Sequence, residues 1–280
     1  MTTILLRNHL MSNSAPWEQY HGKVITSRGG WKIGQGVKCC GYDMMTELVG
    51  KASYMQVVML NATGRLPSRA LADWVEAIHI CLSWPDPRIW CNRIGALAGT
   101  SRTSSVAATS LGLLAAESNS YGIKPLISGV EFIQHAWQQV ASGMSVEDFI
   151  QEEVKKYGGK PFLMGYIRPI AKGDERIPAM ELVSKNLGFS TGKHLALAYN
   201  IEKALNKQYG ETMNVNGYVS AFLSDQGYSP QEVYRIFSFV VVSGVTACFS
   251  DTEQRIEGGF SPLKTSDISY KGPAHRKLPI

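Results

Sequence analysis

The spacing of apolar residues most constrains how this chain can fold. From Met44 onward, hydrophobic side chains recur every three to four residues, as they do along one face of an α-helix. In "RALADWVEAIHICL" that face carries Leu71, Val75, Ile78 and Leu82. Since this pattern returns in segment after segment, the sequence predicts a fold that is almost entirely α-helical.

The predicted helices have recognisable ends. Ser53, Ser145 and Ser229 stand where a hydroxyl accepts from the first free amides of a helix, and Gly64 stands where a helix stops. The segment "GALAGTSRTSSVAATSLGLLAA" is rich in Ala, Gly and Ser, which let helices pack closely. The apolar run Ile236 to Phe249 is too short to span a bilayer, so we interpret it as a buried core helix.

One stretch favours strands. "KVITSRGGWKIGQGVKCCGYD" (Lys23 to Asp43) places β-branched and aromatic residues around a Gly-Gly pair, which predicts a small hairpin turning at those glycines. We expect this to be the only β-structure in the chain.

Composition excludes several classes of protein. The 280 residues are 44% hydrophobic with a net charge of +5, and no block of five Lys or Arg occurs, which argues against binding to nucleic acid. Five cysteines without Cys-x-x-Cys spacing argue against a disulfide framework and against a metal site. The N-terminus lacks the pattern of a signal peptide. We expect a cytoplasmic protein with no membrane partner.

The segment "GYIRPIAKGDER" (Gly165–Arg176) is the first candidate site. Arg168, Lys172 and Arg176 place three cations in one turn-rich loop, and guanidinium groups match the geometry of carboxylates and phosphates. The alternative is a solvated loop whose charge is partly neutralised by Asp174 and Glu175.

Other polar residues have ordinary structural explanations. Asn214 and Asn216 precede a helical segment and are interpreted as caps. His79, His135 and His194 lack partners at ligand spacing, which favours packing or surface roles. No His-x-x-x-His, Gly-x-Ser-x-Gly or phosphate-loop pattern occurs, so neither a metal centre nor a serine hydrolase has support.

Four segments in the same order resemble the citrate synthase and citryl-CoA lyase superfamily. "GYDMMTELVGKASYMQVVMLNATGRLPS" (Gly41–Ser68) is similar to its Gly-Tyr-Asp opening and Thr-Gly-Arg-Leu-Pro-Ser turn. "GYIRPIAKGDER" resembles its Gly-Phe-Gly-His…Asp-Pro-Arg loop, "NVNGYVSAFLSDQGYSPQEV" its Asn-Val-Asp helix start, and "SDISYKGP" its C-terminal tail. The resemblance extends over roughly residues 35 to 273.

The resemblance implies a fold and a chemistry. Members fold as a large and a small helical domain, work as dimers and hold the active site in the cleft between domains. Here the large domain is expected at 1–122 and 214–280, and the small domain at 123–213. Members form or split a C–C bond beside a coenzyme A thioester, using two His and one Asp for proton transfer and charge stabilisation.

This chain departs from the family at all three of those positions. The Asp of Asn-Val-Asp is Asn216, and the His of the loop is Arg168. The other His is missing as well, because no His lies between His79 and His135; its place falls near Ala115 or Ser120. The standard condensation is therefore not expected. Asp86, Glu117, Tyr121 and Asp251 are possible replacement proton-transfer residues, each with a structural explanation too.

The resemblance assigns site residues as follows. The catalytic positions correspond to Arg168, Asn216 and Ser120, and substrate or cofactor binding corresponds to Arg176, Lys172, Gly165 and Pro169. Arg176 matches an arginine that holds a substrate carboxylate, and no metal is implied.

Three hypotheses remain. The first, which we favour, is a repurposed enzyme acting on a coenzyme A thioester or a di- or tricarboxylate by C–C bond formation or cleavage, decarboxylation or thioester hydrolysis. The second is a catalytically inactive homologue that binds coenzyme A or serves as partner subunit of an active chain, as a homodimer or heterodimer. The third is an unrelated helical binding protein.

Overall fold

A computed structural model of the chain describes residues 22, 24–119, 122–168, 172–255 and 264–279. Its contacts divide the chain into two compact units, Met1–Asp73 and Trp74–Ile280. The expected division into 1–122 with 214–280 and 123–213 stays a prediction. The described residues form eleven α-helices and one small antiparallel sheet, so the prediction of an all-α fold with a single small hairpin region is confirmed.

The first unit contains a three-stranded sheet and a capped helix. Strands β1 (Gly29–Lys32), β2 (Gly36–Cys39) and β3 (Tyr42–Asp43) pair in that order, and a short π-helical turn follows at Met44–Leu48. Helix α1 (Tyr54–Thr63) comes next. The hairpin is where the sequence predicted it, but its turn is not.

The turn of the hairpin lies after β1 rather than at the Gly-Gly pair. Gly29 and Gly30 are inside β1, and the chain reverses at residues 33–35, where Gln35 N donates to Lys32 O at 3.0 Å. Gly34 (φ +73°) supplies the positive φ that a tight turn requires. The predicted turn position is wrong because the Gly-Gly pair was the more conspicuous signal.

Helix α1 behaves as its sequence predicts. The Ser53 hydroxyl accepts from Gln56 N, and the Gln56 side chain accepts from Ser53 N in return. Gly64 adopts the left-handed conformation at the other end. Leu60 is fully buried and packs with Cys39 and Leu48 in a small core.

The remaining helices belong mainly to the second unit. They are α2 (Arg69–Leu82), α3 (Trp90–Thr100), α4 (Ser105–Ala115), α5 (Lys124–Ala141), α6 (Val146–Lys156), α7 (Arg176–Asn186), α8 (Lys193–Tyr209), α9 (Val215–Asp225), α10 (Pro230–Phe237) and α11 (Val242–Glu253), followed by a 3-10 turn at Thr265–Asp267. Ser145 and Ser229 cap α6 and α10 as predicted.

Helices α3, α4 and α11 pack unusually closely. A Cβ added to Gly99 would lie 2.1 Å from Thr252 Oγ1, and one added to Gly112 would lie 2.5 Å from Val245 Cγ1. The predicted use of small residues for helix packing is thus confirmed. The Thr252 hydroxyl, buried at this contact, donates to Ala96 O at 2.7 Å.

The apolar run near the C-terminus forms two helices instead of one. Residues 238–241 form a turn that separates α10 from α11. By length and mean hydropathy (1.6) the stretch Pro230–Glu253 would suffice to cross a membrane, but half of its apolar window is buried inside the fold. Phe237, Val245 and Phe249 are all buried, so the predicted burial is confirmed, whereas the prediction of a single helix is wrong.

Candidate functional site

The candidate loop is anchored on the N-terminus of α9. Asn214 N donates to Gly165 O at 2.8 Å, and Asn214 Nδ2 donates to Ile167 O at 2.7 Å. The two backbones nearly touch, since a Cβ on Gly165 (φ +90°) would lie 2.7 Å from Gly217 Cα. Glycine is therefore required at both positions, and the loop is held at a fixed height above α9.

Asp174 lies at the centre of this arrangement. Its side chain is fully buried, and its Oδ2 accepts from Val215 N, the first residue of α9, at 2.8 Å. Arg176 donates to both of its oxygens at 2.7 Å, through Nε and Nη2. Burial alone would raise the pKa of Asp174, but the arginine and these amides outweigh it and lower the pKa. Asp174 therefore stays ionised.

Arg176, the first residue of α7, has one occupied edge and one open edge. Its Nε and Nη2 atoms face Asp174, whereas no acceptor in the described part of the chain contacts Nη1. The side chain is 19% exposed. A guanidinium oriented in this way can donate two parallel hydrogen bonds to a further carboxylate.

Arg168 has a different environment. Its Nη1 and Nη2 donate to the two carboxylate oxygens of Glu175 at 2.6 and 3.0 Å, and Nη1 also donates to Gly173 O at 3.0 Å. These hydrogen bonds lower the pKa of Glu175 to about 2. The Arg168 side chain is 13% exposed, that of Glu175 60%. The charge of Arg168 is thus neutralised by the carboxylate of Glu175 in the same loop.

Asn216 joins two helices. Its Nδ2 donates to Pro125 O in the first turn of α5 at 2.8 Å, and its Oδ1 accepts from the Ser220 hydroxyl at 2.9 Å. The interpretation of both asparagines as caps is therefore half correct: Asn214 caps α9 by accepting from the amides of Asn216 and Gly217, while Asn216 reaches sideways to α5.

Of the other predicted site residues, the structure describes two and leaves two outside the described residues. Lys172 is exposed, with Nζ beside Gly210 and no carboxylate partner in the described ranges, and Gly165 anchors the loop. Ser120 and Pro169 lie outside the described residues. The structure therefore brings together Arg168, Arg176 and the helix that carries Asn216, and leaves the roles of all these residues as predictions.

The possible replacement residues are paired with neighbouring charges. Asp86 accepts from Arg88 through both oxygens, which lowers the pKa of Asp86 to about 2. Glu117 lies 3.4 Å from Lys124 Nζ. Asp251 of α11 pairs with Arg255, which follows the end of that helix, and Tyr121 is outside the described residues.

His79 and His194 have structural partners inside the fold. His79 is buried, with Nδ1 2.8 Å from Val75 O and its ring stacked on Phe237, and burial lowers its pKa. His194 Nδ1 donates to Asp225 at 2.9 Å. Within the part of the chain that is described, no cluster of three metal-ligating side chains occurs.

From the sequence, Asp174 and Glu175 are expected only to neutralise part of the positive charge of the loop, but in the structure they orient Arg176 and Arg168. The missed signal is the Asp-x-Arg spacing, which occurs twice. Asp174 and Arg176 form the same two-point pair that Asp86 and Arg88 form elsewhere. Only the first pair also binds a helix N-terminus, and this depends on the tertiary fold.

Comparison with known proteins gives relatives by structure only. No family model and no curated protein sequence matches the chain. Citryl-CoA lyase from Hydrogenobacter thermophilus is similar with a TM-score of 0.76 at 23% identity, covering 91% of this chain and 97% of that one.

Two longer proteins contain the same fold. ATP citrate lyase from Methanothrix soehngenii, solved with citrate and coenzyme A, has a TM-score of 0.73 at 16% identity over 94% of this chain and 44% of its own. Citrate synthase from Thermoplasma acidophilum, solved with carboxymethyl coenzyme A and oxaloacetate, has a TM-score of 0.60 at 19% identity over 82% and 60%. The chain therefore has the citrate-synthase-like fold.

Proposed function

We propose that this chain binds a coenzyme A thioester, or a di- or tricarboxylate, at the loop over α9, with Arg176 as the principal contact to the ligand's carboxylate. The observation that carries the proposal is the open Nη1 edge of Arg176, which Asp174 holds in place from the other side. The solved neighbours that contain citrate, oxaloacetate or coenzyme A support the choice of ligand class.

The chemistry available to the described site is restricted. Arg168 and Arg176 do not give up protons near neutral pH, an amide such as Asn216 is not a base, and the lowered pKa values of Asp174 and Glu175 make them weak bases. We therefore favour reactions that need no removal of an α-proton from the thioester: C–C cleavage beside a thioester, decarboxylation or thioester hydrolysis. A fixed positive charge stabilises the carboxylate or enolate that develops in such steps.

Calorimetric titration with coenzyme A, acetyl-CoA, citrate and oxaloacetate tests the proposal. We expect at least one to bind, and Arg176→Ala to weaken it by roughly ten-fold or more, because a charged two-point contact is lost. Arg88→Ala is the matched control, since Arg88 makes the same pair with Asp86. Absence of binding by the wild type, or equal loss in both variants, would refute it. Any ligand found is then screened for turnover.

A second candidate function is that of a partner subunit without catalysis. Helix α4 exposes Val106 (75%), Leu111 (47%) and Leu114 (71%), and Leu97 of α3 is 49% exposed. Such a face favours burial against another chain. We propose a second copy as its partner, with a catalytic homologue as the alternative. Light scattering should show a wild-type dimer that Leu114→Lys weakens; a monomeric wild type excludes the homodimer, and co-expression tests the homologue.

A further inference from the structure

A partly open cavity of about 340 Å³ lies among α7, α8, α9 and the segment that joins α7 to α8. It is separate from the loop over α9: its lining residues run from Glu181 to Phe222 and include none of the predicted site residues. Its volume is at the lower end of the range for small-molecule sites.

One wall of the cavity is aromatic and firmly supported. Phe189 meets Phe222 edge to face, with ring centroids 5.1 Å apart, and Phe222 stacks on Trp74 at 3.8 Å. Leu195 extends the apolar surface. Phe222 and Trp74 are buried, so they fix the position of the half-buried Phe189, which is the part of this wall that an apolar group of a ligand can reach.

The base of the cavity holds polar atoms that already have partners. Trp74 Nε1 donates to Ser184 Oγ at 2.8 Å, and Ser184 Oγ lies 3.0 Å from the Tyr218 hydroxyl. These hydrogen bonds fix the wall. They leave the ligand's polar groups to be recognised at the rim instead.

The rim carries polar groups of both signs. Lys185, Ser190 and Thr191 line it, and no side-chain partner of any of them occurs among the described residues. Glu181, also lining the cavity, accepts a hydrogen bond from Tyr199 through Oε1. Four residues apart on one helix, Glu181 and Lys185 stand about 6 Å apart along its axis.

We propose that this cavity binds a free α-amino acid with an aromatic or branched apolar side chain. The ligand's carboxylate would be held by Lys185 and the hydroxyls of Ser190 and Thr191, and its ammonium group by Glu181. Its side chain would lie against Phe189, which packs on the buried Phe222. An anion alone would leave the carboxylate of Glu181 facing it, and a cation alone would face Lys185; a molecule that carries both charges satisfies both groups.

The proposal does not depend on the proposed function, and calorimetry on the full chain tests it. The probes are L-phenylalanine, L-leucine, 3-phenylpropionate (no ammonium) and phenethylamine (no carboxylate). We expect an amino acid to bind, and each single-charge analogue to bind roughly ten-fold more weakly or worse. Lys185→Gln and Glu181→Gln should each reduce amino-acid affinity by a similar factor.

Lys207→Gln, an exposed lysine of α8 outside the cavity, is the matched control and should bind as wild type does. Arg176→Ala should also leave amino-acid binding unchanged, which separates this site from the one over α9. No binding of either amino acid at millimolar concentration overturns the proposal. Equal affinity for 3-phenylpropionate, or full affinity in Lys185→Gln, overturns it as well.

Discussion

The N-termini of α9 and α8 are both capped by an aspartate that also pairs with a basic side chain, but the two basic side chains differ in what they leave accessible. In each, a buried aspartate from another segment accepts from the first amides: Asp174 from Val215 N, and Asp225 from the amides of His194 and Leu195 at 2.8 and 3.0 Å. Each aspartate also pairs with a basic side chain, Arg176 or His194.

The two helix ends differ in whether the basic partner keeps an accessible hydrogen-bond donor. Arg176 keeps an open Nη1 edge, whereas the ring of His194 is buried edge-on to Trp137, with centroids 5.8 Å apart. The same arrangement thus leaves an accessible donor at one helix end and none on the buried His194 ring at the other.

Among substitutions at the two helix ends, we expect Asp174→Asn to have the largest effect on stability. It leaves the charge of Arg176 without its buried partner, which should lower the free energy of unfolding by about 3 kcal/mol. Asp225→Asn should cost only about 1 kcal/mol, because it weakens hydrogen bonds to His194 and to two amides but leaves no permanently charged side chain without a partner. Urea denaturation at pH 7 measures both.

Asp251→Asn, at an exposed pair on α11, is the control and should stay within about 0.5 kcal/mol of wild type. Equal destabilisation by Asp174→Asn and Asp225→Asn would mean that the permanent charge of Arg176 is not what distinguishes the two helix ends.

A smaller loss of stability is expected when the glycine at each helix end is replaced by alanine. Gly217→Ala, inside α9, would ordinarily stabilise a helix by nearly 1 kcal/mol, but its Cβ would lie 2.5 Å from Gly165 O. We expect destabilisation by about 1–3 kcal/mol. Gly192→Ala at α8 meets the Asp225 carboxylate at 2.3 Å, a side chain that can shift, so its cost should be smaller. Thermal unfolding of the two variants decides; a stabilised Gly217→Ala would show that the loop is not held on α9.

The smallest effect is a dependence on pH. Although burial opposes ionisation, hydrogen bonds from His194 and the two amides lower the pKa of Asp225. The stability that this carboxylate contributes is therefore present above its unfolded pKa near 3.9 and is lost as pH falls through the folded value. The difference between wild type and Asp225→Asn should narrow below about pH 4. Urea midpoints at pH 6, 4 and 3 measure it, and a constant difference would contradict it.

Local signals in the sequence predicted much of the fold. The caps at Ser53, Ser145 and Ser229 and the stop at Gly64 depend on neighbours within four residues, so they could be identified without a structure. The hairpin turn was misplaced because Gly29 and Gly34 carry the same local signal. The break at residues 238–241 was missed because the run is apolar throughout.

The site was predicted less completely, and for a physical reason. The sequence identifies Arg168 and Arg176 as cations in one loop, but not which carboxylate each binds or which edge stays open. Those facts depend on the packing of the loop over α9, through Gly165 and Gly217, which lie 52 positions apart in the chain. The cavity between α7 and α9 likewise has no motif, since its rim residues become neighbours only on folding.

The pairing of Arg168 with Glu175 has a consequence for evolutionary reversibility. If an ancestor of this chain carried the histidine that the family resemblance places at 168, restoring it by a single substitution would not restore its chemistry. We expect an imidazole there to lie near Glu175 and Asp174, which pair with the guanidinium groups in this chain, and nearby carboxylates favour the protonated form of an imidazole. We therefore expect a return of the histidine's chemistry to need a change at position 175 as well as at 168.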